Sequence, residues 1–315
     1  MATLATAPAQ RARMSVWRRP ETRWAYLFIL PWIIGFVVFT AGPMVASLVL
    51  SFTDYDAIGT ASWIGADNYQ RMASDTRFRS ALLNTLWFTV LHVPLHVAVS
   101  LGLALLLKNI TGRLSGFFRT VFYLPAMTPT VAVGAVFLLL LNGQSGAINA
   151  FLGWFGIRGP AWTTDPSWML YGVVILSLWT VGGSVIILFA GLNEVPKDLY
   201  EAARIDGAGP LRQFRSVTLP MISSSLFFVV IVSTIGALQL FNEVYTMYYG
   251  NAQTQLQASD AVLTLAIYVF QQGFQFLDMG YASAVAWVLF IVILLVTVIN
   301  LKFGDKFVFY EGDQR

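Results

Sequence analysis

The chain has 315 residues, 57% of them hydrophobic and only 11% charged, against about 25% charged in a soluble domain. A mean hydropathy of +0.67 therefore places it with membrane proteins. The net charge of +3 does not mark a nucleic-acid binder, because the basic residues fall between apolar runs, and the lack of cysteine excludes a disulfide framework, a thiolate metal site and a thiol nucleophile.

Residues 1–23 form a basic tail with Arg11, Arg13, Arg18, Arg19 and Arg23. The apolar run after it, 24–50, is too long for the core of a signal peptide and shows no small-residue cleavage site, so it reads as a retained membrane helix. With the loop that follows, it makes up residues 24–80. A bilayer core needs about 20 apolar residues per helix. Five further runs meet that length roughly: 83–107, 118–141, 168–192, 219–241 and 279–301. The expectation is an all-α membrane protein of six transmembrane helices, with residues 81–302 as a five-helix core and 303–315 as a tail. The apolar stretch 261–270 is only ten residues long, which suits a surface or re-entrant helix rather than a span.

Charge sets the orientation. Fifteen of the 19 basic residues lie in the N-terminal tail, in the connections with Lys108, Arg113, Arg119, Lys197, Arg204, Arg212 and Arg215, or at the C-terminal end with Lys302, Lys306 and Arg315. Arg71, Arg77, Arg79 and Arg158 occupy the other side. The positive-inside rule then puts both termini in the cytosol. The loops 51–82 and 242–278 are expected outside, solvated or facing an external partner.

The second span carries the only two histidines, His92 and His96, spaced i, i+4 around Pro94. Ionisable groups within a membrane are functional candidates. A zinc site needs at least three protein ligands, and no further ligand is at hand in the spans. Neutral, hydrogen-bonded packing is the expectation, with a proton-coupling role as the alternative. No P-loop, G-x-S-x-G or H-E-x-x-H occurs, so neither a catalytic residue nor a metal ligand is assigned.

Between the fourth and fifth spans lies EAARIDGAGPLRQFRSVTLP, residues 201–220. Its charges could not lie in hydrocarbon. Pro196 suits a first helical turn, and Asp198 and Glu201 sit near the positive end of the helix dipole. Leu199, Ala202, Ala203 and Ile205 supply a small apolar stripe, and Gly207 with Gly209-Pro210 ends the helix. A connecting loop needs only a few residues, so this one reads as a short docking helix with small side chains at its contact face.

The pattern Glu201-Ala202-Ala203, Gly207, Val217, Leu219-Pro220 resembles the signature loop of bacterial ABC importer permeases, with Val217 where the family usually has Ile. FRTVFYLPAMTPTVAVGAVF (118–137), GQSGAIN (143–149), LFAGLNEVPKDLYEAARIDGAG (188–209) and MGYASAVAW (279–287) resemble the maltose-type sugar permeases of that family. SFTDYD…WIGADNYQRM (51–72) resembles the first of the two paired permease types.

The resemblance implies a subunit of a bacterial or archaeal cell-membrane importer for a sugar, oligosaccharide or polyol. A second permease would complete the pore, separate ATPase subunits would bind ATP and Mg, and an extracytoplasmic solute-binding protein would deliver the sugar. The chain itself would need no cofactor. Glu201, Ala202, Ala203 and Gly207 would form a cytosolic coupling helix seated on the ATPase. Alignment to the maltose-type relatives places Thr130, Gly183, Ser233, Gly236, Ala237 and Gln239 along the solute pathway. The relatives' amide-bearing positions are not kept, so maltose specificity does not carry over. The alternative, an ion-coupled secondary transporter of a neutral solute, would call for carboxylates within the spans.

Overall fold

A computed structural model describes residues 20–250 and 260–304. The tails 1–19 and 305–315 lie outside the described residues, as do Lys306 and Arg315 and the part 251–259 of the second outer loop.

The N-terminal helix α1 (Trp24–Leu50) is a unit of its own. It is apolar along its length, and a π-turn at Val37–Ala41 precedes Gly42-Pro43. That turn accommodates a proline that cannot donate its N–H to the helix ladder.

The second unit, residues 51–304 as described, is a helical body around α2 (Thr76–Lys108). Asp75 starts α2 by accepting the N–H groups of Arg77 and Phe78, the N-cap arrangement that satisfies otherwise orphaned donors. At about 1.5 Å per residue, its 33 residues exceed a hydrocarbon core of about 30 Å, so its ends reach water on both sides. The last helix, α11 (Met279–Gly304), is likewise unbroken.

Three of the expected spans are broken. Run 118–141 divides into α3 (Arg113–Met127) and α4 (Thr130–Leu140), bent by 96°. Pro125 and Pro129 fall at the junction, where each removes a backbone donor. At 11 residues, α4 is too short to cross a bilayer core alone. Run 168–192 divides into α5 (Pro166–Leu178) and α6 (Gly182–Glu194), bent by 51°. No proline causes this break; instead α6 starts against α3 so closely that a Cβ on Gly182 would stand 2.1 Å from the Phe122 carbonyl oxygen. Between α6 and the next long helices lies α7 (Lys197–Ile205). Run 219–241 divides into α8 (Pro210–Met221) and α9 (Ser223–Leu238), bent by 70°. The stretch 261–270 forms only a short helix, α10 (Leu265–Phe270), continued by a π-turn. Among the described residues, three unbroken helices are long and apolar enough to span a membrane, and up to six spans result if each bent pair crosses once.

α2 and α6 run side by side: His96 Nε2 meets Ser184 Oγ at 2.8 Å, and Lys108 Nζ donates to the Leu192 carbonyl at 3.0 Å. Two packed clusters hold the body. One gathers Phe88, Met169, Tyr248, Tyr268 and Tyr281; the other gathers Leu107, Val185, Leu188, Leu192 and Ile222. In lipid such contacts act through close packing more than through exclusion of water.

The body therefore has two ends. Near the start of α2, Asp75 also accepts hydrogen bonds from the hydroxyls of Tyr268 and, at 2.6 Å, Tyr281. Arg71 pairs with Asp278 at 2.7 Å and covers the Tyr281 ring; Arg77 pairs with Asp260 at 3.2 Å and donates to Gln271. The loop residues expected to be merely solvated are thus tied into the body. Burial raises the Asp75 carboxyl, but the hydrogen bonds from Tyr268, Tyr281, Phe78 and Arg77 outweigh it and hold the group below its ordinary 3.8. The opposite end, where α2 stops, carries Lys108, Lys197, Arg204, Arg212 and Arg215.

Candidate functional site

Of the coupling and pathway residues singled out from sequence, four lie on a surface helix or at its stop at the basic end and four line one cavity of the body, while Gly183 and Thr130 lie apart from both.

α7 begins after Pro196 and carries Asp198 in its first turn and Arg204 in its last, both favourable to the helix dipole. It ends as the sequence requires: Gly207 takes a left-handed conformation with φ of 75°. The Gly207 N–H donates to the Arg204 carbonyl and the Ala208 N–H to the Ala203 carbonyl. This pair of bonds is a Schellman stop, which favours glycine at its left-handed residue. Glu201, Ala202 and Gly207 are exposed, as is Ile205, at 87% of its surface. Ala203 departs from the expected stripe: it is half-buried, on the same side as Tyr200. Tyr200 anchors the helix to the body, taking a hydrogen bond from Lys108 at 3.2 Å and meeting Thr218 Oγ1 at 3.0 Å. Among the described residues, no cation at this end pairs with a carboxylate; both ion pairs lie at the other end.

Inside the body, Ser233, Gly236, Ala237 and Gln239 line one cavity of about 350 Å³ together with Phe88, His92, His96, Ser177, Thr180, Asn242 and Glu243. Gly183 lies elsewhere, on a cavity of about 550 Å³ with Arg119, Thr120 and Tyr123. Thr130, the first residue of α4, is half-buried and lines neither. Small residues in membrane helices often serve close packing. Within this chain Gly183 and Gly236 face open space: a Cβ added at either would meet nothing within 4 Å.

His92 and His96 differ from one another. His96 is hydrogen-bonded to Ser184. His92 is buried and stacks on Phe88, with ring centroids 5.0 Å apart and planes at 10°. The expectation of a hydrogen bond fails for it: His92 has no such partner among the described residues, whereas His96 has one through Nε2, and the Nδ1 atoms of both rings are buried and unpaired. No group of three metal-ligating side chains occurs among the described residues.

Glu243 escaped the sequence reading. Its position two residues past the expected end of the fifth span suggested an outer loop. In the structure α9 stops at Leu238, and the chain turns so that Asn242 and Glu243 face the cavity. The available signal was a lone carboxylate immediately after a polar Gln-x-x-Asn step.

A family described as "Binding-protein-dependent transport system inner membrane component" matches residues 97–305. The chain is 36% identical over 298 residues to "Probable ABC transporter permease protein YesP" of Bacillus subtilis (strain 168), covering 94% of this chain and 95% of that protein. It is 33% identical over 284 residues to "Arabinooligosaccharides transport system permease protein AraP" of the same organism, covering 90% and 88%. Its fold matches a chain of a bacterial ABC transporter "involved in the import of the acidic polysaccharide alginate", with a TM-score of 0.78 at 23% identity, over 92% of this chain and 98% of that one.

Proposed function

The chain belongs to the family of binding-protein-dependent transport system inner membrane components, and from that premise we propose that it is the first-type permease subunit of an ATP-driven importer for a neutral sugar, oligosaccharide or polyol. The observation that carries this reading is the exposed helix α7, anchored to the body by Tyr200 and closed at Gly207, at the end whose cations have no carboxylate partner among the described residues. By the positive-inside rule that end faces the cytosol. Six spans then follow if α1, α2, α11 and each bent pair cross once. A second permease completes the pore, and a binding protein delivers the sugar at the Asp75 end.

ATP hydrolysis in such importers lies in a separate subunit. The differential contact that drives alternating access falls on Glu201, Ala202 and Ile205, which present a carboxylate and small or apolar surface to the ATPase. The cavity with Ser233, Gly236, Ala237 and Gln239 is our candidate for the solute pathway. Its hydroxyls and amides suit a polyhydroxylated solute, and the open space at Gly236 leaves room for one.

Glu201→Lys should abolish uptake by the assembled importer while leaving membrane insertion intact. Normal uptake by that variant sinks the coupling role. Gly236→Phe, which fills open space, should block uptake with the complex still assembled. Unchanged transport there removes the cavity from the pathway and leaves the coupling role standing.

A further inference from the structure

Beside α7, a cavity of about 530 Å³ opens between the end of α2, α7 and the start of α8. Lys108, Lys197 and Arg204 line it, against the single carboxylate of Glu201, so cations exceed anions there by two. None of the three is ion-paired among the described residues. Lys108 is the best placed. Its ammonium donates to the Leu192 carbonyl at 3.0 Å and the Tyr200 hydroxyl at 3.2 Å, and lies 4.7 Å from the centre of the Tyr200 ring. All these partners are neutral, so they orient the charge without cancelling it. An ammonium has three donors, and these two bonds leave one for a ligand. Tyr200 is itself fixed by Thr218, so the position is prepared in advance.

The lining is also amphipathic, since Leu105 and Phe214 border the same space. A site with basic residues and an apolar edge, at the end of a helix that reaches past the hydrocarbon core, lies at the depth of lipid headgroups. Basic pockets between helices on the cytoplasmic side suit anionic headgroups.

We propose that this cavity binds the phosphate of an anionic lipid headgroup, with Lys108 as the fixed contact and Lys197 and Arg204 closing over it. A lipid held there would brace α7 against α2 and α8 from behind, leaving Ala202 and Ile205, which do not line the cavity, free for the ATPase. The inference rests on the cytosolic placement of α7 proposed above. That placement is checked separately by Leu211→Cys in this cysteine-free chain, an exposed residue just past α7 that neither lines the cavity nor belongs to the proposed ATPase contact: a membrane-impermeant maleimide should label it in inverted vesicles and not in intact cells.

The binding test uses the assembled importer in detergent, mixed with phosphatidylglycerol or phosphatidylcholine and read by native mass spectrometry. Phosphatidylglycerol should be retained and phosphatidylcholine not. Each removed cation weakens such binding by roughly fivefold, so Lys108→Gln with Lys197→Gln should weaken it roughly 30-fold. The charge-keeping pair Lys108→Arg with Lys197→Arg should retain the lipid. The Lys197 side chain makes no hydrogen bond among the described residues, so Lys197→Gln alone spares the fold and should still show the roughly fivefold loss.

Equal retention of both lipids, or unchanged retention by the glutamine pair, overturns the proposal. So does saturation by inorganic phosphate without lipid, which assigns the site to a free anion. Loss of ATPase binding in the glutamine pair with lipid retention unchanged overturns it too, because the cations then serve the ATPase contact. Correct labelling at Leu211 with any of these results leaves the transport reading intact.

Discussion

At the end where α2 begins, Asp75 is satisfied by two tyrosines and two backbone N–H groups, Arg71 by Asp278, and Arg77 by Asp260 and Gln271. At the end where α2 stops, Lys108, Lys197, Arg204, Arg212 and Arg215 have no carboxylate partner among the described residues, although Asp198, Glu201 and Asp206 are near in sequence. Charge at the first end is spent on joining loop 51–75 to α10 and α11. Charge at the second is left for something outside the chain. The contrast separates residues that hold the fold from residues that serve a partner, and it can be tested from either side.

The largest effect on stability should come from Asp75. Removing the shared acceptor in Asp75→Ala strands two tyrosine hydroxyls and uncaps α2. Hydrogen bonds to charged groups are individually strong, so a loss of about 3 kcal/mol is expected. It would be read as a lowered thermal midpoint of the detergent-solubilised complex. Glu201→Lys should leave that midpoint unchanged while abolishing uptake. If the two variants lower the midpoint equally, the contrast between the ends fails.

A smaller effect follows from acid. The Asp75 carboxyl is held below its ordinary 3.8, so the folded state favours the ionised form. Its contribution is present above the unfolded value and is lost as the pH falls through the folded one. The midpoint of the wild type should therefore drop more steeply below about pH 4 than that of Asp75→Asn, which has no such group to titrate. Parallel curves would show that the tyrosines do not stabilise the ionised carboxylate.

Much of this was legible in the sequence, for definite reasons. Apolar runs near 20 residues located every long helix, because hydrocarbon imposes a length. The stop of α7 was legible because a Schellman turn favours glycine at its left-handed residue, and Gly207 stands there. The bends were less so. Pro125 and Pro129 could have signalled the break between α3 and α4. The break before Gly182 depends on how closely α3 approaches, which no local pattern records. Arg71 and Arg77 looked like solvated loop charges because their partners Asp278 and Asp260 lie about 200 residues away. Glu243 was placed outside for a related reason: run length marks where apolar sequence ends, and the helix ended sooner.

The finest test concerns Gly207 and its neighbour Gly209. Both lie in the α7–α8 turn, both are exposed, and an added Cβ would meet nothing within 4 Å at either. They differ in backbone: Gly207 has φ of 75°, whereas Gly209 has φ of −70°. A left-handed conformation costs a non-glycine residue roughly 1 kcal/mol, while the Gly209 conformation is open to any residue. Gly207→Ala should therefore loosen the end of α7, where Arg204 and Ile205 sit, and lower uptake several-fold with little change in thermal midpoint. Gly209→Ala should be silent in both assays. Equal loss in the two variants would mean that the turn tolerates no side chain because a partner packs against it. Silence in both would mean that the angle at which α7 leaves the body does not matter for coupling.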